Sequence, residues 1–88
     1  EDEEKSVEWF KKSAELGYGP SMAYYAWHLR GVDEELYNIW AKKALSSDNS
    51  FAIGYCHRNG LGTSENYEEA FLWFQKSAEE GDEFGQYL

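Results

Sequence analysis

Apolar positions along the chain fall at helical spacing. In Tyr67 to Gly81, the residues Ala70, Trp73, Phe74, Ser77 and Ala78 stand at i, i+3, i+4, i+7 and i+8. That spacing makes one stripe of small and large side chains on a helix. Small residues admit a neighbouring helix, and rings fill the gaps beside it. The same pattern occurs earlier: Trp9-Phe10-Lys11-Lys12-Ser13-Ala14-Glu15-Leu16-Gly17 recurs as Trp73-Phe74-Gln75-Lys76-Ser77-Ala78-Glu79-Glu80-Gly81, an offset of 64 (73 − 9). A weaker copy, Glu35-Leu36-Tyr37-Asn38-Ile39-Trp40-Ala41-Lys42-Lys43-Ala44-Leu45, lies between them, offset by 30 from the first (44 − 14) and by 34 from the third (78 − 44). A period of this size is one helix pair.

Punctuation agrees with the pattern. Gly17 and Gly81 stand where a left-handed cap closes a helix. Asn66 or Ser64 can cap the third copy, and Glu69, three residues after Asn66, suits a capping box. Shorter helices fill the intervals. Pro20 suits a first helical turn, where its missing N–H costs nothing, and Gly31 ends that helix. Ser21, Tyr25, Ala26 and Leu29 share its inner face. A counterpart carries Ile53, Gly54 and His57 on the equivalent face. Gly54 inside a helix costs about 1 kcal/mol relative to Ala, which is tolerable where two helices must touch. The predicted helices run over about 3–16, 20–30, 34–46, 48–59, 65–80 and 82–88, with no stretch of strand-like alternation.

These residues resemble the Sel-one-like repeat family, relatives of the tetratricopeptide repeats. Ile53-Gly54-Tyr55-Cys56-His57-Arg58-Asn59-Gly60-Leu61-Gly62 is similar to the family's first helix and its Gly-x-Gly loop. Tyr67 to Asp82 is similar to its second helix and the start of the next repeat. The middle copy departs from the pattern: Ile39 stands where Trp is usual, and Gly31-Val32-Asp33 lacks the second glycine. The resemblance implies an all-α fold, an α-solenoid of antiparallel helix hairpins, with about two and a half repeats in a single segment over 1–88. It also implies a scaffold or adaptor for other proteins. Neither terminus looks like the polar capping unit that closes such arrays, so a fragment of a longer array is expected, with apolar ends open to self-association.

Composition narrows the partners. The chain has 88 residues, 18% of them aromatic, which is enough ring area for a small core. A formal net charge of −9 argues against nucleic acid and against anionic membrane surfaces. No apolar run has the length of a membrane span. Cys56 is the sole cysteine, so no internal disulfide forms. A cytoplasmic or nuclear compartment is favoured by this, and a lumenal one is compatible.

The candidate chemistry is sparse. Cys56 and His57 point about 100° apart on a helix, with no further Cys or His one turn away, so no metal site is expected. The carboxylates sit on solvated helix surfaces. Gly60-Leu61-Gly62 follows a helix rather than a strand and is no dinucleotide loop. No catalytic residues and no cofactor are therefore expected. Some cysteine-rich relatives are hydrolases, and a single cysteine argues against that type. What remains is recognition of a protein or peptide on the concave face, lined by the shorter helices. Their outward residues are Tyr24, Trp27 and His28 in one unit, and Tyr55 and Arg58 in the next. Tyr, Trp and Arg are the side chains that dominate interfaces. Trp27 is equally compatible with packing under the neighbouring repeat. A structural or regulatory region of a larger protein, enzymatic or not, is the alternative.

Overall fold

The computed structural model describes residues 2–81 as five α-helices, with no strand among the described residues. They are α1 (Asp2–Glu15), α2 (Gly19–Leu29), α3 (Glu34–Leu45), α4 (Ser50–Asn59) and α5 (Tyr67–Glu79). The helix expected over 82–88 lies outside the described residues.

Local chemistry sets the boundaries. Asp33, Asn49 and Asn66 each accept the N–H three residues on, from Leu36 at 3.1 Å, Ala52 at 2.8 Å and Glu69 at 3.0 Å. Each bond satisfies one of the donors a helix start leaves open, worth about 1 kcal/mol. These caps place the starts of α4 and α5 at Ser50 and Tyr67, two residues later than the hydrophobic pattern implied. The capping box at α5 forms only by half. The Asn66 N–H donates to the His57 carbonyl at 2.8 Å, so the Glu69 side chain is not needed there. α2 has no side-chain cap; Pro20 sits in its first turn instead. At the other end of α1, Gly17 has φ +95°, its N–H donates to the Ala14 carbonyl, and the Tyr18 N–H donates to the Ser13 carbonyl. That pair of bonds is a Schellman closure.

Each helix packs on the next, and the short helices α2 and α4 also lie against each other. This is the arrangement of an α-solenoid. The core is built largely of alanines: Ala14, Ala23, Ala26, Ala41, Ala44 and Ala52 are all buried. Such small contacts let helix axes approach, while Tyr25, Leu29, Tyr37 and Leu61 fill the remaining space. Tyr25 and Gly54 occupy equivalent positions in α2 and α4. Tyr25 meets Trp40 edge-on at 5.7 Å. At Gly54 an added Cβ would stand 2.8 Å from the Phe74 ring, so α5 lies closer to α4 than a side chain there permits.

The two hairpin loops differ. After α4, Gly60 and Gly62 adopt positive φ and Leu61 turns fully into the core. The Tyr37 hydroxyl accepts the Gly62 N–H at 2.9 Å and donates to the Gly60 carbonyl at 3.4 Å. An added Cβ on Gly62 would lie 3.0 Å from Ala41, so the loop sits directly on α3. After α2, only Val32 separates Gly31 from the cap Asp33. The Glu34 carboxylate accepts the Gly31 N–H at 2.9 Å, and Val32 is left 80% exposed.

Candidate binding face

A row of rings crosses four helices. It starts on α1, where Trp9 meets Phe10 edge-on at 5.6 Å. Phe10 lies 5.2 Å from Tyr24 and stacks on His28 at 5.6 Å, both on α2. Tyr24 and His28 are one turn apart, so both reach the same neighbour. Tyr24 then meets Tyr55 of α4 in a T-shaped contact at 4.9 Å and Phe51 at 6.1 Å. Phe51, one turn before Tyr55, touches Phe74 of α5 at 5.5 Å. Edge-to-face and offset pairs at these distances add attraction beyond area burial.

The expected site residues are thus only partly united. Tyr24 and Tyr55 meet directly, and His28 joins them through Phe10. Trp27 stands at the margin, edge-on to His28 at 5.1 Å and 43% exposed. Arg58 turns toward α5, with its guanidinium 5.2 Å from the centre of the Tyr67 ring. Phe10, Phe51 and Phe74 also belong to the row; the repeated Trp-Phe pair marks Phe10 and Phe74 in the sequence, and Phe51 has no such mark. The only trace of Phe51 in the sequence is its four-residue spacing from Tyr55.

Electrostatics distinguish the row from its base. Burial pushes the Tyr55 hydroxyl above its ordinary pKa, helped by the neighbouring Cys56, while Arg30 and Arg58 pull it back. Arg30 is fixed by donating to the Asn59 carbonyl at 2.7 Å, across the α2–α4 seam. The Cys56 thiol is buried, and that burial pushes its pKa up to about 12. A thiol held protonated is neither a nucleophile nor a ready metal ligand. Among the described residues, no three His, Cys, Asp or Glu side chains converge on a possible ion. No described helix is long and apolar enough to cross a membrane.

Stacked helix hairpins with a ring-lined seam define a helical-repeat protein. The Sel1 repeat pattern matches residues 1–18 and 50–82, and the chain belongs to the Sel1 repeat family. The middle copy, with Ile39 and the short Gly31 turn, lies between the two matched stretches. Repeats of this family generally mediate protein–protein interaction. The chain is 37% identical over 70 residues to "Chitin synthase regulator SKT5" of Malassezia restricta, covering 68% of this chain and 5% of that protein. It is 25% identical over 87 residues to "Chitin synthase regulatory factor 3" of Schizosaccharomyces pombe, covering 88% of this chain and 9% of that protein. The chain therefore spans less than a tenth of the length of either curated relative. No solved structure matches the chain.

Proposed function

We propose that this chain is a non-catalytic adaptor element that grips a peptide or partner surface, in the service of chitin synthase regulation. Tyr24, Trp27, His28 and Tyr55 form the grip on the concave side, where α2 and α4 stand together, and Arg58 flanks it. The observation that carries this reading is the ring row. Rings of a closed core are fully covered, yet Tyr24, His28 and Tyr55 are half-buried and Trp27 is exposed. Half-covered rings held in register by contacts on both sides form a preorganised surface, which lowers the ordering cost of binding. Tyr, Trp and Arg are the side chains that act as interface anchors.

Two further observations support the reading. The relatives are named as regulators of a synthase, not as synthases. The one cysteine, with its thiol pushed up to about 12, offers no nucleophile for a hydrolytic role. The net charge of −9 favours a partner surface with basic groups.

The test is a direct binding titration of the 88-residue chain against a purified, detergent-solubilised chitin synthase, with wild type and Tyr24→Ala/Tyr55→Ala compared. Saturable binding that weakens roughly thirtyfold or more in the double variant is expected, since two anchors each cost upward of about 1 kcal/mol. Absence of binding by the wild type would refute the partner. Equal binding by both, with unchanged circular dichroism, would refute the face.

A further inference from the structure

The offset of 29 that pairs Ser21 with Ser50 (50 − 21) also pairs His28 with His57, Gly31 with Gly60 and Val32 with Leu61. α2 and α4 are thus two copies of one element. Arg30, which caps α2, donates to the carbonyl of Asn59, the last residue of α4, at 2.7 Å, so the two helices end side by side. Charge is divided unevenly between this pair and the rest of the chain. α2 with its cap Arg30, together with α4, carries both arginines and both histidines. None of the 17 Asp and Glu residues stands there, and neither does any lysine. A chain of net charge −9 therefore presents two guanidinium charges and no carboxylate on the helices that hold the centre of the ring row.

The two arginines flank one hydroxyl. The Asn59 side-chain amide donates to the Tyr55 carbonyl at 3.0 Å, which ties the end held by Arg30 to the turn that carries Tyr55. Arg58 follows Tyr55 by three residues and shares its helix face. Burial and then Cys56 raise the Tyr55 pKa, Arg30 and Arg58 both act against the rise, and no carboxylate contributes. Both arginines are exposed, and among the described residues neither is paired with a carboxylate. A guanidinium has five N–H donors in a planar fork. Arg30 uses one of them on Asn59, and Arg58 only faces the Tyr67 ring.

We propose that Arg30, Arg58 and the Tyr55 hydroxyl form an oxyanion site that receives a carboxylate or phosphate group of the partner's segment. The inference rests on the ring row being the binding face, and it specifies one residue of what lies there: an Asp, a Glu or a phosphorylated Ser. A guanidinium meets such a group with paired donors, whereas lysine meets it as a point charge. The chain places its two guanidinia here and has lysine at every other basic position outside the histidines. The Tyr55 hydroxyl, kept protonated by its burial, can donate a third bond. The charge of the whole chain acts at longer range and favours a basic partner surface, while at contact distance the two arginines govern. The acidic residue is therefore one among basic neighbours.

The experiment is an NMR titration of the 88-residue chain that follows the arginine Nε–H signals, of which there are two. The probes are the capped tripeptides Gly-Glu-Gly, Gly-Gln-Gly and Gly-phosphoserine-Gly. Both signals should move saturably with the Glu and phosphoserine peptides, and the Gln peptide should bind roughly tenfold more weakly. Added salt should weaken the first two and leave the third unchanged. Tighter binding of phosphoserine assigns the site to phosphate, and tighter binding of Glu assigns it to carboxylate. Arg30→Gln/Arg58→Gln should abolish the preference for charge while the melting curve stays in place, since both side chains are exposed. Should that variant melt early, Arg58→Gln alone leaves the Arg30 bond intact and should still lose severalfold in affinity for the Glu peptide. Equal binding of the Glu and Gln peptides would overturn the proposal, as would arginine signals that stay still under millimolar excess of either anion. The same arginine variant in the chitin synthase titration separates the two readings. Binding lost by Tyr24→Ala/Tyr55→Ala but kept by Arg30→Gln/Arg58→Gln would sink the oxyanion site and leave the face standing, and binding kept by both would sink both.

Discussion

Truncation of Leu61 tests the account of the two loops. Leu61 is fully buried, and the loop that carries it is fixed on three sides: by the Tyr37 hydroxyl at Gly62, by the same hydroxyl at Gly60, and by contact of Gly62 with Ala41 and Leu45. A loop so anchored cannot collapse to refill the space, so Leu61→Ala loses both the transfer energy and the cavity term. Buried Leu→Ala changes cost roughly 2–5 kcal/mol, and the anchoring places this one above the low end, at about 3 kcal/mol. A domain of this size has a total stability of roughly 4–13 kcal/mol. The loss should therefore lower the melting temperature by about 10–25 °C. Val32→Ala removes a side chain of the same class from the equivalent position, but Val32 is 80% exposed. Its effect should stay within about 0.5 kcal/mol. Thermal and urea melts followed by far-ultraviolet circular dichroism give both values. Matching losses for the two variants would refute the claim that equivalent positions have opposite environments. Tyr37→Phe should lose about 1 kcal/mol alone and be non-additive with Leu61→Ala, because both act on one loop.

Gly54→Ala sets two effects against each other. Ala gains about 1 kcal/mol of helix propensity, but its Cβ would lie 2.8 Å from the Phe74 ring and 3.1 Å from the Trp73 Cβ. Overpacking of this kind costs roughly 1–3 kcal/mol, so a net loss of about 1 kcal/mol is expected, recovered in part when Phe74→Leu is added. A stabilised single variant in a urea melt would show that α4 and α5 are farther apart. Cys56 should react with a thiol reagent only as fast as the protein unfolds, because it is buried. Its folded pKa of about 12 lies above the ordinary 9.0, so the unfolded chain binds fewer protons between those values. The thiol's contribution is then neutral below pH 9 and falls as pH rises toward about 12. Cys56→Ala should flatten that part of the stability–pH curve, and an unchanged slope would show that the thiol is not buried in the fold.

Helix positions, helix ends and the repeat were legible in the residues themselves, because each depends on neighbours within a turn or two. Stripes such as Ala70, Trp73, Phe74 and Ser77 mark a helix wherever they occur, and Asn66, Gly17 and Pro20 act on backbone groups three to five residues away. The fold class and the family resemblance follow from the same short-range grammar repeated. What lies between helices was not legible. Tyr24 and Arg58 look alike as outward anchors, yet one meets Tyr55 across the α2–α4 seam and the other turns to Tyr67 of α5. The Asn66 N–H, which the local pattern offered to Glu69, is taken by the His57 carbonyl because α5 is brought back against α4. Val32 and Leu61 share a register and a chemistry, and only the length of the turn after them, together with a hydroxyl on a different helix, sends one to solvent and the other into the core. Spacing along one helix is a property of the chain. The distance between two helices depends on every side chain that separates them, and that is decided only when they pack.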